Sequence, residues 1–215
     1  MAHEKASAST LATRSRHHTA VNILDTAATL FADQGFRATT VKEITLGCGI
    51  TQAALYLYFP SKDAVLAELI EMSYEDLERR LNAAVDGNVD GESSAVRLSS
   101  LTRAFMEFGI SATTLARVSE REWVGLGGVE LEKIRALRRD VRRRFETVIA
   151  AGVASGEFGV ALQGQHVERM LATVVIDMCT GVWQWFEQSG LDGEHLVEAY
   201  VQLALNIVQA VPEGS

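Results

Sequence analysis

Only two prolines interrupt this chain of 215 residues, Pro60 and Pro212, and both lie outside its strongest periodic stretches. Proline removes a backbone donor and clashes with the preceding turn, so long proline-free stretches rich in Ala, Leu, Glu and Arg favour helix. Apolar residues recur at helical spacing and no alternating strand pattern competes. The expectation is an all-α protein. Its breaks are glycines: Gly35, Gly47-Cys48-Gly49, Gly125-Leu126-Gly127-Gly128 and the stretch from Gly156 to Gly164. Helices are expected over 13–34, from Val41 for about two turns, from Gln52 to about Phe59, and over 61–85, 93–112, 114–122, 130–154, 164–188 and 193–210. Val21, Leu24, Ala28 and Phe31 mark the inner face of the first. Residues 86–92 read as a loop, and the small polar residues 1–12 as a flexible tail without the apolar stretch of a signal peptide.

The segment from Thr40 to Lys62 carries the most specific local signals. Thr40 and Glu43 have capping-box spacing at the start of a short helix, and Gly47-Cys48-Gly49 ends it. Thr51 caps the next helix, Pro60 stops it, and Ser61 caps a longer one with Asp63 in its first turn. Two short helices joined by a glycine turn form a helix-turn-helix when the second exposes its N-terminal side chains. Here Ala54, Leu55 and Phe59 pack inward, while Thr51, Gln52, Ala53, Tyr56 and Tyr58 point outward. Glutamine pairs with an adenine edge, and Thr and Ala touch thymine methyls. The hydroxyls of Thr40, Tyr56 and Tyr58 and the Lys62 ammonium suit phosphate oxygens. The alternative for the tyrosines is a half-buried position beside the core.

A net charge of −8 at first argues against a nucleic-acid partner. Residues 1–62, however, hold six Lys/Arg against four Asp/Glu, a net of +2, which leaves −10 on the other 153 residues. Affinity for DNA follows local positive charge rather than the total. An acidic body behind a mildly basic head is compatible with a double-stranded DNA partner. Cys48 and Cys179 form no close motif, and no metal set, phosphate loop, nucleophile elbow or Cys-His pair occurs. The expectation is therefore a protein that is not an enzyme, has no cofactor or metal, and works in a reducing cytoplasm with no membrane span.

The string Ala27-Ala28 through Phe31, Gly35-Phe36-Arg37-Ala38-Thr39-Thr40-Val41, Ile44, Gly49-Ile50, Leu55-Tyr56-Leu57-Tyr58-Phe59 and Ser61-Lys62-Asp63 resembles the TetR/AcrR family of regulators over about fifty residues. The resemblance implies a three-helix DNA-binding head, residues 13–60, and a larger helical effector-binding and dimerisation body, 61–215. It implies base contacts at Thr51, Gln52 and Ala53, and phosphate contacts at Thr40, Tyr56, Tyr58 and Lys62. Gln52 stands where lysine is frequent and Ala53 where glycine is frequent, which leaves the operator open. Arg14, Arg16, His17 and His18 are candidates for an arm on adjacent phosphates or the minor groove.

In the body, Val167, Leu171, Val174, Met178, Val182 and Trp185 form one apolar stripe, and Leu196, Tyr200, Leu203 and Ile207 another. Such stripes are either core or, as the family resemblance implies, the four-helix interface of a homodimer on a palindromic site, through helices 164–188 and 193–210. A 163–188 helix would be roughly 39 Å long. Phe105, Met106, Phe108, Trp123, Met170, Met178 and Trp183 are candidate liners of an effector pocket, against the simpler reading of core packing. Asp177, a carboxylate in an apolar run, needs a partner, either a ligand or a neighbouring helix. Arg135, Arg138, Arg139, Arg142, Arg143 and Arg144 form either a solvated face or an anion-binding rim. Residues 130–188, notably 148–158 and Trp183-Gln184-Trp185-Phe186, look like regulators of lipid and steroid breakdown. The reading is a repressor released from its operator by a hydrophobic small molecule, of which an acyl-CoA is one form. The alternative is a regulator without an effector, constitutive or controlled by a protein partner.

Overall fold

A computed structural model describes residues 2–86, 91–111, 113–160, 162 and 164–209, with no side chains for 2–16, 86 and 113. Among the described residues there is no β-strand. The head holds α1 (Ala2–Gln34), α2 (Val41–Cys48) and α3 (Gln52–Leu55). The body holds α4 (Lys62–Asp86), α5 (Ser94–Ser111), α6 (Thr113–Glu122), α7 (Gly128–Ser155), α8 (Val167–Val182), α9 (Phe186–Ser189) and α10 (Gly193–Ile207). A tight 3-10 turn, Trp123–Gly125, follows α6.

The first helix departs from expectation twice. Its backbone is helical from Ala2, where a tail through residue 12 is expected; the Ala-rich composition that reads as unstructured also propagates helix well. Its buried face is Ile23, Leu24, Ala27 and Phe31, whereas Val21 is exposed, so the stripe is turned by about one residue from the expected one. Phe31 meets Phe36 edge to face at 5.3 Å, and Ile44, Leu55 and Phe59 complete the head's core.

Local signals act in α2 to α4 as the sequence indicates. The Thr40 hydroxyl accepts from the Glu43 amide and donates to the Glu43 carboxylate, which also accepts from the Thr40 amide. Those bonds hold the Glu43 pKa below its ordinary value, the Thr40 hydroxyl contributing most. At the turn, Gly49 is left-handed (φ 67°), and the Gly49 and Ile50 amides return to the Leu46 and Thr45 carbonyls. Helix α3 is shorter than expected, but backbone turns continue it to Phe59. The Ser61 hydroxyl accepts from the Ala64 amide at the start of α4.

Helix α5 lies at the centre of the body, packed against α4, α6, α7, α8 and α10. It is buried on most sides through Leu98, Leu101, Phe105, Met106 and Phe108. A Cβ on Gly109 would lie 1.6 Å from Trp183 Nε1, so only glycine lets the indole seat against this helix. The single helix expected over 164–188 is broken just after that seat, where Trp185 leaves the helical region (φ −130°). After Val182 the chain tightens into short turns, with Trp183, Gln184 and Trp185 amides reaching back to Thr180, Gly181 and Val182 carbonyls, and then resumes as α9.

The expected stripes divide between two environments. In α8, Leu171, Ala172, Val175, Cys179 and Val182 are buried, whereas Met170 and Val174, and Trp185 just beyond the helix, stay exposed. In α10 the buried residues are Val197, Val201 and Ala204, one position beyond Leu196, Tyr200 and Leu203 of the expected stripe. Burial pushes the Cys179 thiol up to about 12.

Candidate functional site

Two surfaces carry chemistry. The first is the outer face of α2 and α3. Thr40, Thr51, Gln52 and Ala53 are exposed, Leu55 is fully buried, and Tyr56 is 51% exposed. Thr51 Oγ1 accepts from the Ala54 amide at 3.1 Å, which leaves its proton free to donate outward. Tyr58 is half-buried against the core, the position its alternative reading allows. Leu57 and Leu46, 85% and 78% exposed, also stand on this head without having been singled out by the sequence. An exposed leucine between two tyrosines carries no periodic signal of its own. His17 and His18 are exposed on α1, while the Arg14 and Arg16 side chains lie outside the described residues.

Lys62 is placed differently from a free phosphate ligand. Its Nζ donates to the Phe36 carbonyl at 2.6 Å and the Thr39 carbonyl at 2.7 Å, and sits 4.2 Å from the Phe36 ring centroid. Two of the three ammonium donors thus staple the α1–α2 connection to α4. The other side of that connection is held by α6. Arg121 Nη2 donates to the Phe31 and Ala32 carbonyls at 2.7 and 3.1 Å, a cation at the α1 C-terminus, where the Phe31 carbonyl also accepts from the Gly35 amide. The Glu122 carboxylate accepts from the Phe36 amide at 3.2 Å and from Arg121 Nε at 2.6 Å.

The second site is a partly open cavity of about 90 Å³ bounded by α4, α5, α6, α7 and α8. Of the residues proposed as liners, Phe105, Phe108, Asp177 and Trp183 bound it. Met106 is buried and Met178 half-buried elsewhere, and Met170 is 48% exposed on the outer face of α8. Trp123 is not part of the wall but stacks under Arg138, whose Cζ lies 4.6 Å from its ring centroid. Asp177 is open to solvent rather than buried, so its carboxylate needs no protein partner.

The arginine run resolves by helical phase. Arg138 and Arg142, one turn apart, wall the cavity; Arg135 and Arg143 pair at the surface with Glu132 and Asp140, and Arg144 donates to Asn82. Arg138 forms a two-pronged pair with Glu120 at 2.5 and 3.0 Å and donates to the Tyr74 hydroxyl at 3.2 Å. Burial works against this cation, but Glu120 and Tyr74 more than offset it and hold the guanidinium charged. Burial raises the Tyr74 phenol to about 12 against the opposing pull of Arg138. Trp183 is clamped by Phe105 and Phe108 at ring separations of 5.2 and 5.6 Å. Sequence reasoning missed Ser119, Glu120 and Tyr74 because a polar residue on a helix does not declare which neighbour it will meet. A second, wider groove between α4 and α5, lined by Arg80, Arg103 and Glu107 among others, opens onto the surface.

Among the described residues no cluster of His, Cys, Asp or Glu could hold a metal ion, and no helix is long and apolar enough to cross a membrane.

Comparison with known proteins agrees with this geometry. Residues 23–69 match the pattern of bacterial regulatory proteins, tetR family, and residues 91–208 match the tetracyclin repressor-like C-terminal domain. The HTH-type transcriptional repressor KstR2 of Rhodococcus jostii is 27% identical over 185 residues, covering 86% of this chain and 88% of the relative. A crystal structure of a tetR-family regulatory protein from Rhodococcus RHA1 superposes with TM-score 0.80 at 24% identity, covering 90% of this chain and 98% of that one. AibR, solved with isovaleryl coenzyme A and operator DNA, superposes with TM-score 0.75 at 21% identity, covering 86% and 97%. Proteins of this kind are transcriptional regulators that bind operator DNA and act as dimers. With more than half its length matched by the C-terminal pattern and its head by the N-terminal one, this chain belongs to the TetR family of transcriptional regulators.

Proposed function

We propose that the chain is a cytoplasmic homodimeric repressor that holds a palindromic operator and releases it when a hydrophobic small molecule, of which an acyl thioester is the leading form, enters the body's cavity. The observation that carries this reading is a single turn of α6. Ser119 and Glu120 wall the cavity, and the next two residues, Arg121 and Glu122, grip the end of α1 and Phe36. A ligand that fits better with α6 displaced lowers operator affinity by the same factor by which operator lowers ligand affinity. Helix α4 gives a second route, through Tyr74 in the cavity and Lys62 at the head.

Base reading is assigned to Thr51, Gln52 and Ala53 and backbone contact to Thr40, Tyr56 and Tyr58, all on a head of residues 13–60. The exposed Met170 and Val174 of α8, Trp185 and Leu203 of α10 supply an apolar face for a second copy. Such a dimer presents two heads to half-sites about 34–36 Å apart. Support for an acyl ligand comes from the AibR neighbour and its isovaleryl coenzyme A.

Fluorescence anisotropy with labelled fragments flanking the gene locates the operator, and titration of candidate effectors then measures release. If a bound effector leaves operator affinity unchanged, release is not the function. One observation favours the effector-free alternative: the cavity is small beside pockets of about 300–1,000 Å³ that hold drug-sized ligands. Operator binding with no calorimetric response to any hydrophobic effector would select that alternative.

A further inference from the structure

Resting on the reading of the head as the operator-holding part, and independent of whether an effector releases it, we infer that Arg37 and Lys42 are the cations that meet the phosphate backbone. Between residues 17 and 62 the chain carries three Lys/Arg, namely Arg37, Lys42 and Lys62, against Asp25, Asp33 and Glu43. This stretch has no surplus of positive charge, so the cations with free donors are the ones placed to hold phosphates. Lys62 is not among them, since two of its three donors go to the Phe36 and Thr39 carbonyls. Thr40 is occupied as well: its hydroxyl donates to the Glu43 carboxylate and accepts from the Glu43 amide. Arg37 and Lys42 are both exposed, and neither makes a hydrogen bond or an ion pair among the described residues.

Their setting suits that role. Lys42 lies in the first turn of α2, the first helix of the helix-turn-helix, which in this motif crosses the DNA backbone. Ile44 and Thr45 are buried, so Lys42 stands with Leu46, one turn further on, along the exposed side of α2. Arg37 follows a residue that is held from two directions. The Phe36 amide donates to Glu122 on α6, and the Phe36 carbonyl accepts from Lys62 on α4. The backbone at Arg37 is thereby anchored, while its guanidinium keeps a charged fork of donors that matches phosphate oxygens. The same anchor places Arg37 at the end of the α6 route: a displacement of α6 that carries Phe36 with it moves the next residue off its phosphate.

The test uses the full-length protein without effector and fluorescence anisotropy on two labelled duplexes, from about 50 to 200 mM salt. One duplex carries the operator obtained by binding-site selection, and the other has a scrambled sequence. Arg37→Gln and Lys42→Gln should each flatten the dimer's slope of log affinity against log salt on the operator by about 1.8 units, about 0.9 from each head. The double variant should flatten it by about 3.6. Both single variants should also weaken binding to the scrambled duplex, because phosphate contacts carry no sequence. Lys42→Arg should keep the slope. Arg143→Gln removes a charge that is 73% exposed on α7, away from the head, and should leave the slope unchanged. The Arg37 and Lys42 variants should melt with the wild type, since neither side chain bonds to another described residue. A slope unchanged by both single substitutions overturns the inference. Equal flattening by Arg143→Gln overturns it too, because the effect would then be one of total charge. Since no effector is present, either failure leaves the release reading standing.

Discussion

Replacing Lys62 with methionine separates two roles that sequence alone cannot distinguish. The substitution keeps the aliphatic stem and removes the ammonium, and with it two charge-assisted hydrogen bonds to the Phe36 and Thr39 carbonyls and the contact over the Phe36 ring. Hydrogen bonds to charged groups contribute about 1.5–3 kcal/mol each and an exposed cation–π contact about 0.5–1 kcal/mol. Lys62 is half-exposed and water can reach the freed carbonyls, so the net loss is about 2–3 kcal/mol rather than the full sum. At about 2–4 °C per kcal/mol for a chain of this size, the melting temperature should fall by roughly 4–12 °C. Differential scanning calorimetry measures that fall, and operator affinity across a salt series measures the other role. Each phosphate neutralised contributes about −0.9 to the slope of log affinity against log salt. A staple predicts lower stability and a nearly unchanged slope, with Lys62→Arg retaining the slope as well. An unshifted melting temperature together with a dimer slope flatter by about 1.8 units would refute the staple and restore Lys62 to the phosphates.

Gln52→Ala should change which base is preferred at one operator position, by about 1–3 kcal/mol of discrimination, whereas Tyr56→Phe should weaken binding evenly across sequences; a binding-site selection with each variant distinguishes them. Gly109→Ala would drive a methyl group into the Trp183 indole, so chemical denaturation should show a loss of about 1–3 kcal/mol and tryptophan emission should shift to the red. Tyr74 stays protonated in the fold up to about pH 12, so above pH 10 only the unfolded chain releases its proton. Its contribution, about 2–3 kcal/mol, is present below pH 10 and lost as pH rises towards 12, and Tyr74→Phe should flatten stability over that window in urea titrations. Val174→Glu, on the exposed face of α8, should give monomers by sedimentation with helical content intact and operator binding lost; a dimer that persists places the interface elsewhere.

The parts of the fold legible in the sequence are those whose cause is local. Thr40 with Glu43, Gly49 and Ser61 each act within five residues along the chain, and each occupies the position its spacing indicates. The parts that were not legible depend on distant partners. The seat of Trp183 depends on a glycine 74 positions earlier. Nothing near Lys62 announces that two carbonyls on the α1–α2 connection will claim its protons. Of the arginine run, spacing shows that Arg138 and Arg142 share a face, but only packing decides that this face looks inward. Phe105, Phe108 and Trp183 bound the cavity because bulky apolar side chains gather in the interior, whereas Asp177 reaches it from the solvent-exposed side of α8; Met170 does not, since the outer face of α8 is apolar too.

Under the proposed release mechanism, the single turn of α6 also limits how such a regulator can diversify. Substitutions at Ser119 or Glu120 disturb a helix whose next two side chains hold the reading head, so a change of ligand made there also changes grip on DNA. The opposite wall has no such obligation: Ile176 and Thr180 on α8 face the same cavity and make no side-chain hydrogen bond to the head. New ligand preferences are therefore cheapest to reach from the inner face of α8, and a mutational library confined to Ile176 and Thr180 should yield altered specificity with the operator response preserved.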